Sequence, residues 1–516
     1  MLKAMVLFVL LLISVVLVTS TSSLTCPSQK DAEVLIFGAG TAGVTAARVL
    51  NDQNLNSFKV LEAYDKIGGR IRNIAFKGVQ IEVGANWIHE APEMASGDSS
   101  NANAANINPI WALTHQAESC YAMEALQNTE RSTVREGLFS AGWDPDSALK
   151  QLIEWSEFDF TYATTPEKSG VSLTAKNHNM NFGDQCFIVT DQRGFASVLQ
   201  CIANFDHQNK ILTSTVVTSI DWNDECVCAE VMGQGRMCGD YGIVTFSIGV
   251  LQNWIASNKF NGSLSTEKMK AITNSKMGLY LKIFIKFQIR NDDVFWDTSA
   301  SYTYATNTER GYYPVLQPIG ASLPGSPPIV LMTLTGDEAK RISDLGSNGK
   351  DKVREEVVDV LRKWYNIQDE RLLTITNDDI EYYDWNTDEF FLGMFSNNPT
   401  TLTINDKRNL AMPEGRLYFS GEANNIEHGG TIHGAYCSGM DAATKILTAK
   451  GMYNEASNSL PKCSTSSGCS QESSKKQNCP PSGTTPPTVP SSAKGWYVST
   501  FTLASILLAV LLVCGA

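Results

Sequence analysis

Three glycines, Gly38, Gly40 and Gly43, stand between an apolar run, "EVLIF", and a helix-patterned stretch, "TAGVTAARVL". This is G-x-G-x-x-G at a strand-to-helix junction. The first glycine permits a tight turn. The second lets backbone approach a diphosphate, and the third lets helix pack on strand. The helix N-terminus then offers free N–H groups and a partial positive charge. A second strand-like run, "FKVLEA", ends in Glu62. A carboxylate at that spacing accepts hydrogen bonds from the ribose hydroxyls of an adenosine. Glycines alone make many turns, but strand, helix and acid together predict a dinucleotide site. Gly68-Gly69-Arg70 adds a second close backbone approach and a cation, which suits a longer diphosphate-bearing cofactor.

The segment "GLYLKIFIKF" alternates. Leu281, Ile283, Ile285 and Phe287 share one face; Tyr280, Lys282, Phe284 and Lys286 share the other. A lysine on such a face ordinarily meets solvent. Desolvated beside aromatic rings, it acquires a lowered pKa and can hold or pass a proton. A further helix, "KDKVREEVVDVLRKWYNI", places Val353, Val357, Leu361 and Trp364 on one packing face and carries no chemistry.

The segments "GAGTAGVTAARVL", "LEAYDKIGGRI" and "EVGANWIH" resemble the flavin-containing amine oxidase family, and most closely its polyamine oxidases. "FIVTDQRGFASVLQCIA", "IVTFSIGVLQ", "MGLYLKIFIKF", "FFLGMFSNN" and "RLYFSGEANNIEHGGTIHGAYCSGMDAATKIL" follow in the family's order, so the resemblance spans about residues 31–450. It implies an α/β fold. A Rossmann-like (GR2-type) FAD-binding domain, discontinuous, takes 31–110, 203–264 and 389–450; an α+β substrate-binding domain takes 111–202 and 265–388.

The resemblance also assigns residues. Non-covalent FAD would be held by Gly38, Gly40, Gly43, Glu62, Arg70, Gly84, Ala85, Asn86, Trp87, Val217, Trp385 and Glu422. The N–H groups near Thr431 and Ile432 would face the flavin's pyrimidine edge. Lys282 matches the lysine that holds a water against flavin N5, and His89 and Glu90 fall where relatives meet substrate amines. A lone histidine is more often structural; here its position argues for the site. Phe395 matches one of two rings that flank the substrate, whereas the other position is Thr431. Thr161 stands where some relatives carry a glutamate. No cysteine in "FSNNPTTLT" could tether a flavin, and Cys437 reads as a core residue.

The implied reaction is oxidation of a C–N bond of spermine, spermidine or an acetylated form. The α-carbon of a neutral amine gives a hydride equivalent to flavin N5, and the iminium hydrolyses to an amine and an aldehyde. Oxygen takes the electrons and leaves as hydrogen peroxide. Three readings compete with it: a monoamine or other secondary-amine oxidase, an L-amino acid oxidase, and a catalytically silent FAD-bearing surface protein. An amino acid oxidase needs a cation for the substrate carboxylate, which Lys282 cannot be while holding the water.

The 516 residues exceed one hydrophobic core, and a net charge of −13 argues against a nucleic-acid surface. Met5 to Val18 is an apolar run after Lys3, which predicts a signal peptide over residues 1–25. A Ser/Pro-rich stalk over 455–495 leads into an apolar tail at 496–516 with no basic residue after it. Small residues Ser482, Gly483 and Thr484 before that tail fit a GPI-attachment signal, with a transmembrane helix as the alternative. The expected setting is the secretory pathway and the cell surface, which conflicts with a histone demethylase. The 12 cysteines agree with an oxidising compartment; none has zinc-site spacing, and their pairing is open. Asn261-Gly262-Ser263 is a glycosylation sequon.

Overall fold

A computed structural model describes residues 24–91, 133–140, 143–174, 185–203, 205, 209–307, 309–457 and 460. The strands of its two main sheets are numbered in chain order. The first sheet is built on β1 (Ala32–Phe37), followed through the glycine turn by α1 (Thr41–Asp52). It also holds β2 (Phe58–Leu61), β3 (Ile211–Leu212), β4 (Val217–Trp222), β5 (Val227–Val231) and β6 (Gly235–Val244). The second contains β7 (Tyr280–Lys286), β8 (Thr303–Tyr304), β9 (Val315–Gln317), β10 (Ile329–Thr335) and β11 (Ile380–Glu381). The chain then returns to the first sheet as β12 (Leu417–Phe419).

The order of the first sheet is β3-β2-β1-β6-β5-β4, with β12 also paired to β6. β1 lies parallel to both β2 and β6, and β12 lies parallel to β6. Val34, Leu35, Ile36 and Phe37 are fully buried, as the unbroken apolar run requires of a central strand covered on both faces. One face is covered by α1 and by α3 (Ile432–Ala449), which cross closely because both are rich in small residues. A Cβ on Gly439 would stand 2.2 Å from the Ala42 carbonyl oxygen, so any larger residue there would force the helices apart.

The second sheet separates the two faces of β7 as the alternation predicts. Leu281, Ile283, Ile285 and Phe287 enter a core with Val353, Val357, Leu361 and Trp364 of α2 (Gly349–Tyr365). Tyr280 and Phe284 turn instead toward Trp385, Phe391 and Met394. Lys282 shares that second face and is buried; the solvated outcome for this lysine is not what the fold gives it. Two-stranded ribbons complete the picture near the sheet edges: Asn73–Phe76 with Val79–Glu82, and Trp87–Ala91 with Gln185–Ile188.

Two disulfides fall within the described residues. Cys228–Cys238 bridges directly opposed positions of β5 and β6, and Cys26–Cys226 closes a loop of 200 residues. Cys437 is also disulfide-bonded, so it is a buried bridge residue and not simply a packed thiol. Cross-linking over so long a loop restricts the unfolded chain and is worth about 2–4 kcal/mol. Replacing Cys26 and Cys226 together by serine is therefore expected to lower the thermal unfolding midpoint while leaving flavin content per folded protein unchanged. A calorimetric scan beside the visible spectrum checks both halves of that expectation.

Among the described residues no helix is long and apolar enough to cross a membrane. The terminal segments expected to be signal peptide, stalk and anchor lie outside the described residues, apart from residues at their inner edges.

Candidate active site

The glycine turn does what its spacing demands. Gly38 has φ +106°, and a Cβ on it would strike Thr245 Oγ1 at 2.5 Å. Gly43 lies behind the turn, where a Cβ would approach the Gly38 carbonyl oxygen to 2.0 Å. Gly40 is different: its nearest neighbours would be Gly69 Cα at 3.9 Å and Gly68 O at 4.0 Å. It borders a cavity of about 1130 Å³. The space beside Gly40 is thus open to the cavity. A cavity of that size exceeds the roughly 300–1,000 Å³ of ordinary small-ligand clefts, enough for a dinucleotide and a second molecule.

Glu62 ends β2 at the same cavity. Its carboxylate accepts N–H bonds from Ala39 (2.6 Å) and Tyr64 (2.9 Å). Burial pushes its pKa up, and these bonds with the Arg72 charge partly oppose that. Each oxygen keeps acceptor capacity toward the cavity, as a partner of ribose hydroxyls requires. Arg70 reaches across to Glu422 (2.8 Å) and the Met394 carbonyl (3.1 Å). Glu422 also accepts from the Ser396 N–H and hydroxyl and from the Gly430 N–H. Burial opposes its charge, yet Arg70, Ser396 and Lys407 hold its carboxyl below the ordinary value. This network ties the Gly68-Gly69-Arg70 turn to the segment that precedes α3.

Thr431 caps α3: its hydroxyl accepts the Gly434 N–H (3.0 Å) and donates to the His428 carbonyl (2.7 Å). The Thr431 N–H also turns back on His428 at 3.3 Å, so of the two amides expected at the flavin edge, that of Thr431 is engaged within the turn. Ile432, the first residue of α3, lines the cavity.

Lys282 stands on the cavity wall. Its ammonium donates to the Gly84 carbonyl and to Asn86 Oδ1. Burial pulls its pKa down to about 7, with the nearby Glu82 carboxylate acting in the opposite direction. The lysine is therefore poised to exchange a proton near neutrality. Glu82 is itself pushed up by burial, while the Phe195 N–H bond opposes the shift.

The cavity brings together Gly38, Gly40, Glu62, Arg70, Ala85, Asn86, Trp87, Val217, Lys282, Phe395, Glu422, Thr431 and Ile432, and Thr161 lines it as well. Gly43 and Gly84 lie just behind its surface, one in helix packing and the other as the acceptor for Lys282. Trp385 is an expected cofactor contact that lies away from the cavity surface. It is enclosed in the core, where its indole N–H donates to the Val83 carbonyl (3.0 Å), and it does not line the cavity. His89 and Glu90 belong to the strand Trp87–Ala91, but their side chains are outside the described residues.

Several cavity residues escaped the sequence reading. Tyr302 and Tyr304 stack on each other at 5.7 Å, and Trp87 stacks on Tyr302 at 6.1 Å. Phe160 and Tyr280 continue the aromatic wall toward Phe395. The i, i+2 spacing of Tyr302 and Tyr304 at the start of β8 was the available signal. The aromatic lining of the cavity thus comes from segments other than the one that carries Thr431.

A family model for flavin containing amine oxidoreductases matches residues 41–98 and 120–447. The chain belongs to this family. Flavin containing amine oxidoreductases use FAD, and the chain is an FAD-dependent amine oxidase. It is 27% identical over 475 residues to Polyamine oxidase 1 of Zea mays, spanning 80% of this chain and 90% of that protein. Polyamine oxidase 6 of Oryza sativa subsp. japonica is 28% identical over 473 residues, with coverage of 80% and 90%. In fold the chain is similar to cyclohexylamine oxidase from Brevibacterium oxydans IH-35A. The TM-score is 0.58 at 17% identity, covering 82% of this chain and 100% of that one. The residues present fit the cofactor: an open face at Gly40, a carboxylate at Glu62, and an Arg70–Glu422 pair bound the same cavity.

Proposed function

We propose that this protein oxidises a C–N bond of a polyamine — spermine, spermidine or an acetylated form — to an amine and an amino-aldehyde, with hydrogen peroxide as the second product. The observation that carries the proposal is buried Lys282, with its pKa near 7, on the wall of an aromatic-lined cavity shared with the dinucleotide turn. The similarity to plant polyamine oxidases supports the same substrate class.

In this reading the strand-turn-helix at Gly38–Gly43 is a Rossmann-like (GR2-type) site, and the two sheets mark the FAD-binding and substrate-binding domains. Bound FAD supplies the two-electron acceptor, held without a covalent link; Cys437, the cysteine of α3, is already in a disulfide. Gly84 and Asn86 hold the Lys282 amine in place. Lys282 keeps a water, or a proton, beside the reacting centre. The aromatic wall excludes bulk water and favours an amine that has shed its proton, because only a neutral nitrogen can stabilise positive charge developing on carbon. His89 and Glu90 are assigned to the substrate amines. Turnover should therefore rise with pH until the reacting amine is neutral.

The protein works, in this account, on the outside of the cell, carried there by its signal peptide and held by its C-terminal anchor. Cys26, retained after cleavage within residues 20–25, supports that layout through its bridge to Cys226. Peroxide and aldehyde formation on a panel of spermine, spermidine, acetylated polyamines, cyclohexylamine and L-amino acids tests the substrate class. Activity confined to cyclohexylamine or to the amino acids rejects it.

A further inference from the structure

The helical run from Ala148 to Tyr162 contains one π-helical turn, Trp155–Asp159. A π-turn adds a residue to the helical circuit and re-aims the side chains around it. Here it separates three acids. Glu154 is buried and held by Arg135 at 2.5 and 2.6 Å and by Arg310. Asp159 is buried and held by Arg310 at 2.6 and 3.1 Å. Glu157 is turned the other way. It lines the cavity with Ser156 and Phe160, its surface open to the cavity space. Among the described residues no donor reaches its carboxylate, although the surrounding protein desolvates it enough to raise its pKa. The two clamped acids fix the turn from behind, so Glu157 is presented from a rigid base.

The aromatic wall leads from the reacting end to this carboxylate. Trp87 follows Asn86, which accepts from Lys282. Trp87 stacks on Tyr302, and Tyr302 on Tyr304, with interplanar angles of 11° and 13°. The Tyr304 hydroxyl bonds to Ser156, the neighbour of Glu157, and feels the charge of Glu157 itself. Parallel ring faces accommodate a methylene chain and attract a cation, and a carboxylate partly desolvated by surrounding protein binds an ammonium more tightly than one in bulk water.

We propose that Glu157 is a specificity-determining residue that receives the distal ammonium of the substrate, with the Trp87–Tyr302–Tyr304 stack carrying the chain between it and the Lys282 end. This rests on the polyamine reading above. Monoamines lack the group that Glu157 would bind.

The test uses the FAD-loaded enzyme and Glu157→Gln. Spermidine is compared with N-propylbutylamine, which keeps the same secondary nitrogen but has no terminal amines. Glu157→Gln should lower kcat/KM for spermidine about 10- to 100-fold, mainly through KM, the effect of losing one charge-assisted contact. N-propylbutylamine should change by less than about twofold, the scatter expected of a surface-neutral change. Glu157→Asp should recover part of the loss. Equilibrium binding of diaminooctane and octylamine, followed by perturbation of the flavin spectrum, gives a readout without turnover. The variant should weaken diaminooctane and spare octylamine. An unchanged preference for spermidine in Glu157→Gln, or equal losses on both amines, overturns the assignment of Glu157. A wild-type enzyme with no preference for spermidine over N-propylbutylamine overturns the polyamine reading, and this inference with it.

Discussion

Lys282→Met is expected to slow anaerobic flavin reduction by the best amine by roughly 10²- to 10⁴-fold, the range of a lost acid–base group. Methionine keeps the length and apolar body of lysine but has no donor for Gly84 or Asn86 and no proton to move. The loss should fall on the rate of reduction more than on amine affinity. Stopped-flow absorbance at saturating amine separates the two, and unchanged reduction would remove Lys282 from the chemistry.

The same substitution has a stability signature. Lys282 is held near pKa 7 in the fold against a usual value of 10.5, because burial disfavours its charged form. Between these values the unfolded chain binds a proton that the folded chain does not. Stability contributed by this group therefore rises as pH climbs from about 7 toward 10.5, and the penalty is complete below about pH 7. Its limiting size is on the order of 5 kcal/mol. Lys282→Met should flatten this rise in the unfolding midpoint. A slope identical to that of the unaltered protein would mean that Lys282 is not desolvated in the fold.

Gly40→Ala and Gly43→Ala should fail in different ways, and the contrast locates the cofactor. At Gly40 a methyl group meets nothing closer than 3.9 Å, so the apoprotein should fold with its normal midpoint. If the diphosphate lies there as proposed, the same methyl should weaken FAD binding by roughly 10- to 100-fold, the equivalent of about 1–3 kcal/mol of overpacking. At Gly43 the methyl enters the Gly38 carbonyl at 2.0 Å, a contact that backbone must move to relieve. That variant should lose stability even without FAD. Melting curves of the two apoproteins, followed by FAD titration, discriminate them. Equal affinity for FAD in Gly40→Ala and the unaltered protein would place the diphosphate elsewhere.

Legibility in the sequence follows the distance over which each feature is assembled. Gly38, Gly40, Gly43 and Glu62 were readable because one strand, one turn, one helix and the next strand fix their geometry. The two faces of β7 were readable for the same reason, since alternation alone assigns Leu281 and Lys282 to opposite sides. What alternation could not decide was whether the Lys282 face would be wet, because Trp385, Phe391 and Met394 cover it from a segment about a hundred residues away. Tyr302, Tyr304 and Glu157 were missed on that account: strand pairing and a π-turn bring them to the cavity, and neither leaves a strong local pattern. Trp385 was assigned by resemblance alone, and its indole bond to the Val83 carbonyl, about three hundred residues away, leaves no local pattern. Cysteine pairing was open in the sequence, and the fold settles it for four residues. Cys228 and Cys238 are opposed across a hairpin, whereas Cys26 meets Cys226 only through the tertiary fold.

Anaerobic titration of the FAD-loaded protein with spermidine bears most directly on the central claim, that a cofactor held at the glycine turn faces a cavity where a neutral amine is oxidised. The account predicts full bleaching of the flavin absorbance at one equivalent of amine, with the colour restored on admitting oxygen and one peroxide formed. A protein that takes up FAD but stays yellow through the titration with spermidine and every other amine would contradict it.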